Sequence, residues 1–162
     1  MAKKRRWLLI CLLLVFSFFG AFPAGAGTVD LYPQGILTLS SSLVQLGALK
    51  TEPHTPPLEY FEAEDALNIH IITIFPDWQL LMSGSDFSSG PDRIPLQQLE
   101  WKKQGGYYKR MKPAGSQEVI AKGEEFPWSL YYLIDLSFRL VLTGNEAPGN
   151  YGNTMIFSMV FP

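Results

Sequence analysis

Cysteine is almost absent from this 162-residue chain, and that absence excludes several kinds of chemistry. The one cysteine, Cys11, lies in an apolar N-terminal stretch that we expect to be removed. Ile10 stands before it where a lipid-attachment motif requires a small residue. The mature chain therefore has no disulfide, no catalytic thiol and no cysteine-ligated zinc. A secreted domain of this size then depends on its hydrophobic core.

Positive charge is also scarce once the N-terminal stretch is set aside. The whole chain has 13 Lys and Arg against 15 Asp and Glu, and residues 3–6 account for four of the basic side chains. Nine basic residues then face 15 acids, which gives a net charge near −6. A surface of that sign repels nucleic acid and anionic lipid, so we expect neither as a partner.

Histidines are few, and no catalytic constellation accompanies them. His54 lies in a proline-rich loop, and His70 lies on the more polar face of an expected strand. Neither has a local Ser/Asp or Cys/Asp partner that suggests a triad. Carboxylates are numerous, but nothing singles out the pair that glycoside hydrolysis needs. We therefore predict a protein that is not an enzyme and has no cofactor.

The N-terminus has the layout of a secretory signal peptide. Residues 3–6 are basic, residues 7–19 are almost all apolar, and Ala24 and Ala26 offer the small side chains that a signal peptidase requires. The apolar region is shorter than the ~20 residues of a membrane-spanning helix. We predict cleavage after Ala26, with an uncleaved membrane anchor as the alternative. The protein is then secreted, and it is either released or held at the cell surface by non-covalent contacts.

Removing the signal peptide, residues 1–26, leaves residues 27–162, enough for a single domain with one core. This part alternates between apolar and polar residues with the period of β-strands. The main predicted strands are 29–32, 35–40, 67–75, 78–82, 94–102, 107–111, 117–121, 131–142 and 154–161. About eight short strands separated by turn residues predict an all-β fold, an immunoglobulin-like antiparallel β-sandwich.

Two hairpins are expected within this pattern. Strand 78–82 follows strand 67–75 after the turn Pro76-Asp77, and strand 154–161 follows strand 131–142 after a polar turn. Such a pair of long apolar strands is not stable alone in water, so the other strands must cover it.

An acidic cluster formed by Glu59, Glu62, Glu64 and Asp65 leads into strand 67–75. Closely spaced carboxylates offer the oxygen ligands that Ca²⁺ takes. Their spacing matches no calcium-binding loop, and solvated charge at the end of a strand is the alternative. The sequence leaves a calcium site open.

Aromatic side chains are the best candidates for a binding surface. Trp78, Trp101 and Trp128 lie beside strand-like residues, and the adjacent Tyr107 and Tyr108 send their rings to opposite faces of a strand. Rings that face outward stack on sugars or pack on a partner, whereas rings that face inward belong to the core. These five residues are the candidate ligand- or partner-binding residues.

The C-terminal turn and strand resemble a known ending. Residues 148–151 (PGNY), followed by the alternating stretch 153–159, are similar to the PGxY ending of small secreted bacterial sandwiches. These include spore coat protein U, fimbrial-subunit-like proteins and WxL surface domains. Residues 78–80 (WQL) stand where the proximal WxL motif occurs, whereas residues 157–159 (FSM) replace the distal one.

This resemblance implies a non-enzymatic envelope interaction or adhesion module whose partners are cell-wall polymer or other envelope proteins. The fimbrial relatives imply an alternative, a self-associating pilin-like subunit in which residues 28–39 complete a neighbour's sheet by strand addition. A carbohydrate-binding module is a third interpretation. In each case we expect the hydroxyl of Tyr151 to fix the turn, as a tyrosine corner does.

Overall fold

The computed structural model describes residues 35–125 and 130–161, and this part of the chain is built almost entirely from β-strands. Eleven strands follow one another in the sequence: β1 (Gly35–Leu39), β2 (Leu49–Glu52), β3 (Leu58–Thr73), β4 (Gln79–Gly84), β5 (Phe87–Ser89), β6 (Asp92–Ile94), β7 (Leu99–Lys103), β8 (Lys109–Arg110), β9 (Glu118–Lys122), β10 (Tyr131–Leu142) and β11 (Met155–Val160). Two single 3-10 turns, Leu96–Gln98 and Gly123–Glu125, are the helical elements of the described residues. The prediction of an all-β fold is confirmed.

The strands form two main antiparallel sheets and a small ribbon. The large sheet has the order β1-β3-β10-β7-β8, and β2 pairs with β3 further along the same strand. The three-stranded sheet has the order β11-β4-β9, and β5 pairs with β6 to form the ribbon. β3 and β10 are the longest strands, and both lie inside the large sheet with neighbours on each side.

One core cluster draws on the inward faces of both main sheets. Leu67, Ile69 and Ile71 of β3 contribute from the large sheet, and Leu80 and Met82 of β4 contribute from the three-stranded sheet. Each side chain is at most 3% exposed. Full burial of a side chain of this size stabilises the fold by about 1.5–3 kcal/mol, so this cluster is a major source of the stability of the fold.

Both predicted hairpins are wrong, although the strands themselves exist. β10 pairs with β3 and β7 in the large sheet, whereas β11 pairs with β4 in the three-stranded sheet. β4 likewise pairs with β9 and β11 rather than with β3. Strand alternation indicates which face of a strand is buried, but it carries no information about the partner strand. The connection between β10 and β11 therefore crosses from one sheet to the other.

β3 begins at Leu58 and is much longer than the predicted strand 67–75. Its first half carries glutamates on the outward face, and these obscure the strand pattern in the sequence. An irregularity divides the two halves: Leu136 and Phe138 of β10 pair with Leu67 and Ala63 of β3. Three β3 residues therefore oppose Ser137 alone. The turn of the backbone requires the left-handed conformation at Asp65, whose φ is 45°. Its N–H donates a 2.9 Å hydrogen bond to the buried Ser137 hydroxyl, which stabilises the irregularity.

The edge of the large sheet beside β3 is interrupted opposite this irregularity. The Ser40 N–H bonds to the Asn68 carbonyl at 2.9 Å, and the Gly47 N–H bonds to the Glu62 carbonyl at 2.9 Å. Between these two anchors, residues 41–46 leave the sheet, and we call this stretch the 41–46 segment. Residues 43–46 are a short apolar run in the sequence, but they do not form a strand.

The predicted donor strand, residues 28–39, is partly used inside the protein's own fold. Its second half forms β1, which pairs with β3 of the same chain from Gly35 to Leu39. The predicted signal peptide, residues 1–26, and the predicted strand 29–32 lie outside the described residues.

No helix within residues 35–125 and 130–161 is long and apolar enough to cross a membrane.

Candidate functional site

The outward face of the large sheet divides into an apolar half and a charged half. Outward positions of β1, β3 and β10 come together through the strand register, in which Ile36 pairs with Ile72 and Ile72 pairs with Tyr131. The next outward row joins His70 to Leu133. We call these five residues the apolar patch.

Four members of the apolar patch are large side chains that remain open to solvent. The exposed fractions are 57% for Ile36, 49% for Ile72, 50% for Tyr131 and 48% for Leu133. Their neighbours in sequence point into the core, so the alternation of the strands forces these side chains outward. Alternation explains why these side chains face outward, but it does not explain why they are apolar. Outward positions of a solvated sheet are ordinarily polar.

The patch continues to the end of the sheet and has a polar border on its other side. Ile74 and Leu130, which are 73% and 61% exposed, lie just beyond the ends of β3 and β10. In the opposite direction, the His70 Nδ1 and the Tyr131 hydroxyl form a hydrogen bond. Beyond them, the Asn68 amide donates to the Asp135 carboxylate. An apolar centre with a polar border is the usual anatomy of a protein–protein interface.

The other half of this face carries what we call the charged network: Lys50, Tyr60, Glu62, Glu64, Glu100, Lys102, Tyr108 and Arg139. Arg139 on β10 lies opposite Glu62 on β3 and Glu100 on β7 in the strand register. Its Nε donates a 2.7 Å hydrogen bond to Glu100 Oε2, and both side chains are more than four-fifths buried. The attraction within this pair is screened less by solvent than that of an exposed pair, and burial of the two charges also costs hydration.

Glu62 is the most connected acid of the charged network. It accepts hydrogen bonds of 2.6 Å from Lys50 Nζ and of 2.6 Å from the Tyr108 hydroxyl. Burial acts to raise the pKa of Glu62, but these two hydrogen bonds outweigh it and hold that pKa below its ordinary value. Glu62 therefore stays charged at neutral pH, and its oxygens are already engaged.

Tyr108 lies at the centre of the charged network and is enclosed by cations. The Arg139 guanidinium lies 4.2 Å from the centre of the Tyr108 ring, and Lys102 Nζ lies 4.6 Å from it. Burial, followed by the hydrogen bond to Glu62, raises the pKa of the Tyr108 hydroxyl. The ring is thus a packed member of the network rather than a free stacking platform.

The acidic cluster does not assemble as a calcium site. Glu62 is paired with Lys50, and Glu64 lies 3.5 Å from Lys102. Glu59 belongs to the opposite face of β3, because it alternates with Tyr60 and pairs with Leu142, and Asp65 lies in the irregularity. Within the part of the chain that the structure describes, no three acidic or histidine side chains are placed to hold a metal ion.

The five aromatic candidates do not share a surface. Trp78 and Trp101 are each 2% exposed and belong to the core cluster, so neither ring is able to stack on a ligand. Trp78 packs against Tyr132 with ring centres 5.0 Å apart. Tyr107 is 91% exposed, and Trp128 lies outside the described residues. The two buried tryptophans are large apolar residues that close the core, which corrects their assignment to the surface.

The histidines have local partners of different kinds. His54 lies in the exposed loop between β2 and β3, with its Nε2 3.6 Å from the Glu52 carboxylate. His70 contacts Tyr131 at the border of the apolar patch. Within residues 35–125 and 130–161, neither histidine forms a hydrogen bond with a serine hydroxyl.

Sequence reasoning missed the apolar patch, although a signal was present. In strand 67–75 the positions that alternate with the core residues include Ile72 and Ile74, so the expected polar face is apolar at one end. The register that brings Ile36 and Leu133 beside them joins distant parts of the chain and is visible only in the fold.

No family model matches the chain, and no curated protein matches it.

Proposed function

We propose that this protein is a secreted, immunoglobulin-like β-sandwich that acts as a non-enzymatic interaction module of the bacterial envelope. In this proposal the apolar patch binds another envelope protein. The observation that carries the proposal is the row of exposed Ile36, Ile72 and Tyr131 side chains across three paired strands.

The sandwich architecture is supported by the shared core and by one turn. Side chains from both main sheets belong to one cluster, as expected when two sheets pack face to face. The Tyr151 hydroxyl donates a 2.9 Å hydrogen bond to the Ala147 carbonyl, four residues upstream. That bond has the form of a tyrosine corner in immunoglobulin-like domains. It fixes the crossing from β10 to β11.

The apolar patch favours a protein as the partner. Soluble monomers rarely expose large contiguous apolar surfaces, and those that do generally use them for binding. The patch lies on the flat outward face of a sheet rather than in a cleft, so it fits a second flat surface better than a small molecule. Tyr131 stands in its central row, and tyrosine is among the residues that contribute most to binding energy at interfaces.

The proposal of secretion is based on the layout of the N-terminus. The proposal of a place in the bacterial envelope is based on the resemblance to small secreted bacterial sandwiches. Trp78 and Trp101 are buried, so two of the rings that a carbohydrate-binding module would use to stack on sugars are not accessible. With β1 paired inside its own sheet, a pilin-like subunit retains only the residues before Gly35 as a donor. Neither alternative explains the exposed isoleucines.

The test is capture of a partner from an envelope fraction by residues 27–162. Leu133→Lys places a charge in the apolar patch, and Val119→Lys, at a residue 41% exposed on β9, places the same charge on the other sheet. We expect one identified envelope protein to bind the wild type and Val119→Lys but not Leu133→Lys. The interaction should then be reproduced with the purified partner. Circular dichroism checks that both variants are folded.

Two results reject the proposal. One is that the wild type captures no envelope protein. The other is that Leu133→Lys captures the same protein as well as Val119→Lys does, because the patch is then not the contact surface.

A further inference from the structure

A cavity of about 260 Å³ lies between the 41–46 segment and the beginning of β11, away from the apolar patch. Its walls are mainly apolar and come from both main sheets. Six of the side chains that form them are Leu39, Val44, Leu46, Leu99, Phe138 and Phe157. The cavity is thus an opening into the core at the edge of the large sheet, where the strand pairing beside β3 is interrupted.

The polar groups of the cavity are few and uncharged. Ser41, Ser42, Asn153 and Thr154 contribute hydroxyl and amide groups, and none of the described residues that line the cavity is charged. A charged ligand would lose its hydration there without gaining a partner, which costs several kcal/mol. The lining therefore selects a neutral molecule that carries a hydrogen-bonding group.

The volume and the aromatic walls of the cavity restrict the class of ligand further. An engineered apolar cavity of about 150 Å³ binds benzene, so a volume of about 260 Å³ is sufficient for a molecule of two fused rings. Phe87, Phe138 and Phe157 offer ring edges and faces, and the Met155 sulfur adds a polarisable contact. Aromatic pairs and sulfur–aromatic contacts each stabilise a bound ring by about 0.5–1.5 kcal/mol beyond burial.

The 41–46 segment is built so that it can admit such a molecule. Its bonds to β3 are at its two ends, through Ser40 and Gly47. Inside the segment, the Ser41 hydroxyl bonds to the backbone of Leu43 and closes a local turn. A second cavity, of about 500 Å³, shares Leu43, Val44 and Leu46 with the first. Space on both sides of these side chains allows them to move without displacing a sheet.

We propose that this cavity is a binding site for a neutral, planar aromatic molecule of the size of indole, with the 41–46 segment as its entrance. The fused ring lies against the phenylalanines. Its N–H or O–H group meets the neutral oxygens of Ser41, Ser42, Asn153 or Thr154.

The experiment measures binding of indole to residues 27–162 by calorimetry and by the shift in thermal unfolding. Val44→Phe fills the cavity from the 41–46 segment, and Val119→Phe adds the same ring on β9, at a residue that does not line the cavity. We expect saturable indole binding by the wild type and by Val119→Phe. We expect binding by Val44→Phe to be weaker by roughly tenfold or more.

A charged ligand of related shape supplies a second control. Indole-3-acetate should bind roughly tenfold or more weakly than indole, because its carboxylate finds no cation among the described lining residues. If Val44→Phe does not fold, Leu46→Phe takes its place, and the comparison of the two ligands on the wild type still decides the question. The variant Leu133→Lys should bind indole normally, which separates this site from the apolar patch.

The proposal is overturned if the wild type shows no saturable indole binding at millimolar concentration. It is also overturned if the cavity-filling variant binds indole as the wild type does, or if indole-3-acetate binds equally well, because binding is then outside the cavity.

Discussion

The Tyr108 hydroxyl donates a 2.6 Å hydrogen bond to the Glu62 carboxylate across the outward face of the large sheet. Burial and this bond raise the pKa of Tyr108, while the pKa of Glu62 lies below its ordinary value. The hydroxyl therefore keeps its proton and the carboxylate keeps its charge through the neutral range. A hydrogen bond to a charged acceptor is stronger than one between neutral groups, so this contact links β3 to the chain between β7 and β8.

Replacing Tyr108 with Phe should destabilise the protein by about 1.5 kcal/mol, the lower end for a bond to a charged group, because Glu62 retains Lys50. Urea unfolding of the variant measures the loss. The control is Tyr107→Phe, since Tyr107 is 91% exposed and its hydroxyl has no comparable role. Its stability should stay within about 0.5 kcal/mol of the wild type. Equal effects of the two changes would show that the bond to Glu62 contributes nothing.

Glu146 should make stability depend on acid pH. Its carboxylate accepts hydrogen bonds from the Thr143 N–H and hydroxyl, the Gly144 N–H and the Gln98 amide, at 2.7–2.9 Å. Burial raises its pKa, but these bonds outweigh burial and lower the pKa from 4.5 to about 2. Because the folded pKa lies below the unfolded one, Glu146 stabilises the fold above pH 4.5 and loses that contribution as the pH falls towards 2.

The measurement is urea unfolding of the wild type and of Glu146→Gln between pH 7 and pH 2. The wild type should be the more stable of the two at pH 7, and the difference should shrink as the pH falls through the acid range. A difference that is constant with pH would contradict the role assigned to the carboxylate charge.

Leu136 and Leu133, three residues apart on β10, should lose very different amounts of stability on truncation. Leu136 is fully buried between the sheets, whereas Leu133 is 48% exposed in the apolar patch. Leu136→Ala should cost about 2–5 kcal/mol of unfolding free energy through lost burial and the cavity it leaves. Leu133→Ala should cost less than about 1 kcal/mol. Thermal and urea unfolding compare the two, and a larger loss for Leu133 would mean that the faces of β10 are reversed.

Ser137→Ala should loosen the irregularity of β3. The Ser137 hydroxyl is 1% exposed and accepts the hydrogen bond from the Asp65 N–H. Removing it leaves a donor unsatisfied at a cost of about 1–3 kcal/mol. Hydrogen exchange should accelerate at the Asp65 amide in particular, while Ser42→Ala, at an exposed serine, leaves that rate unchanged. Unaltered protection of Asp65 in Ser137→Ala would show that another group holds the backbone there.

The sequence predicts individual strands well where both of their faces have a clear pattern. β10 has the predicted bounds, Tyr131–Leu142, because large apolar residues alternate with Asp135, Ser137 and Arg139 through its middle. β3 was predicted only from Leu67 onwards. In its first half, Glu62 faces outward beside Lys50 and Arg139. A stretch rich in glutamate is assigned to a loop when the partners of those glutamates on neighbouring strands are not known.

Strand pairing and the candidate site were harder to predict, for a related reason. Each depends on residues that are far apart in the sequence, such as Ile36, Ile72 and Tyr131, and no local pattern reports their register. The same limit applies to Trp78 and Trp101. Whether a tryptophan beside a strand is buried depends on which face of its own sheet the opposite sheet covers. Here both rings are buried.

β3 and β10 are neighbours at the centre of the large sheet, yet six strands separate them in the sequence. During synthesis β3 is therefore complete long before its central partner exists. Pairing over such a distance requires closure of a long loop before its contacts are gained, which slows folding. A chain that ends before Tyr131 lacks the strand that joins β3 to β7, so both are left with open edges. Such a fragment is expected to aggregate rather than form a smaller folded unit.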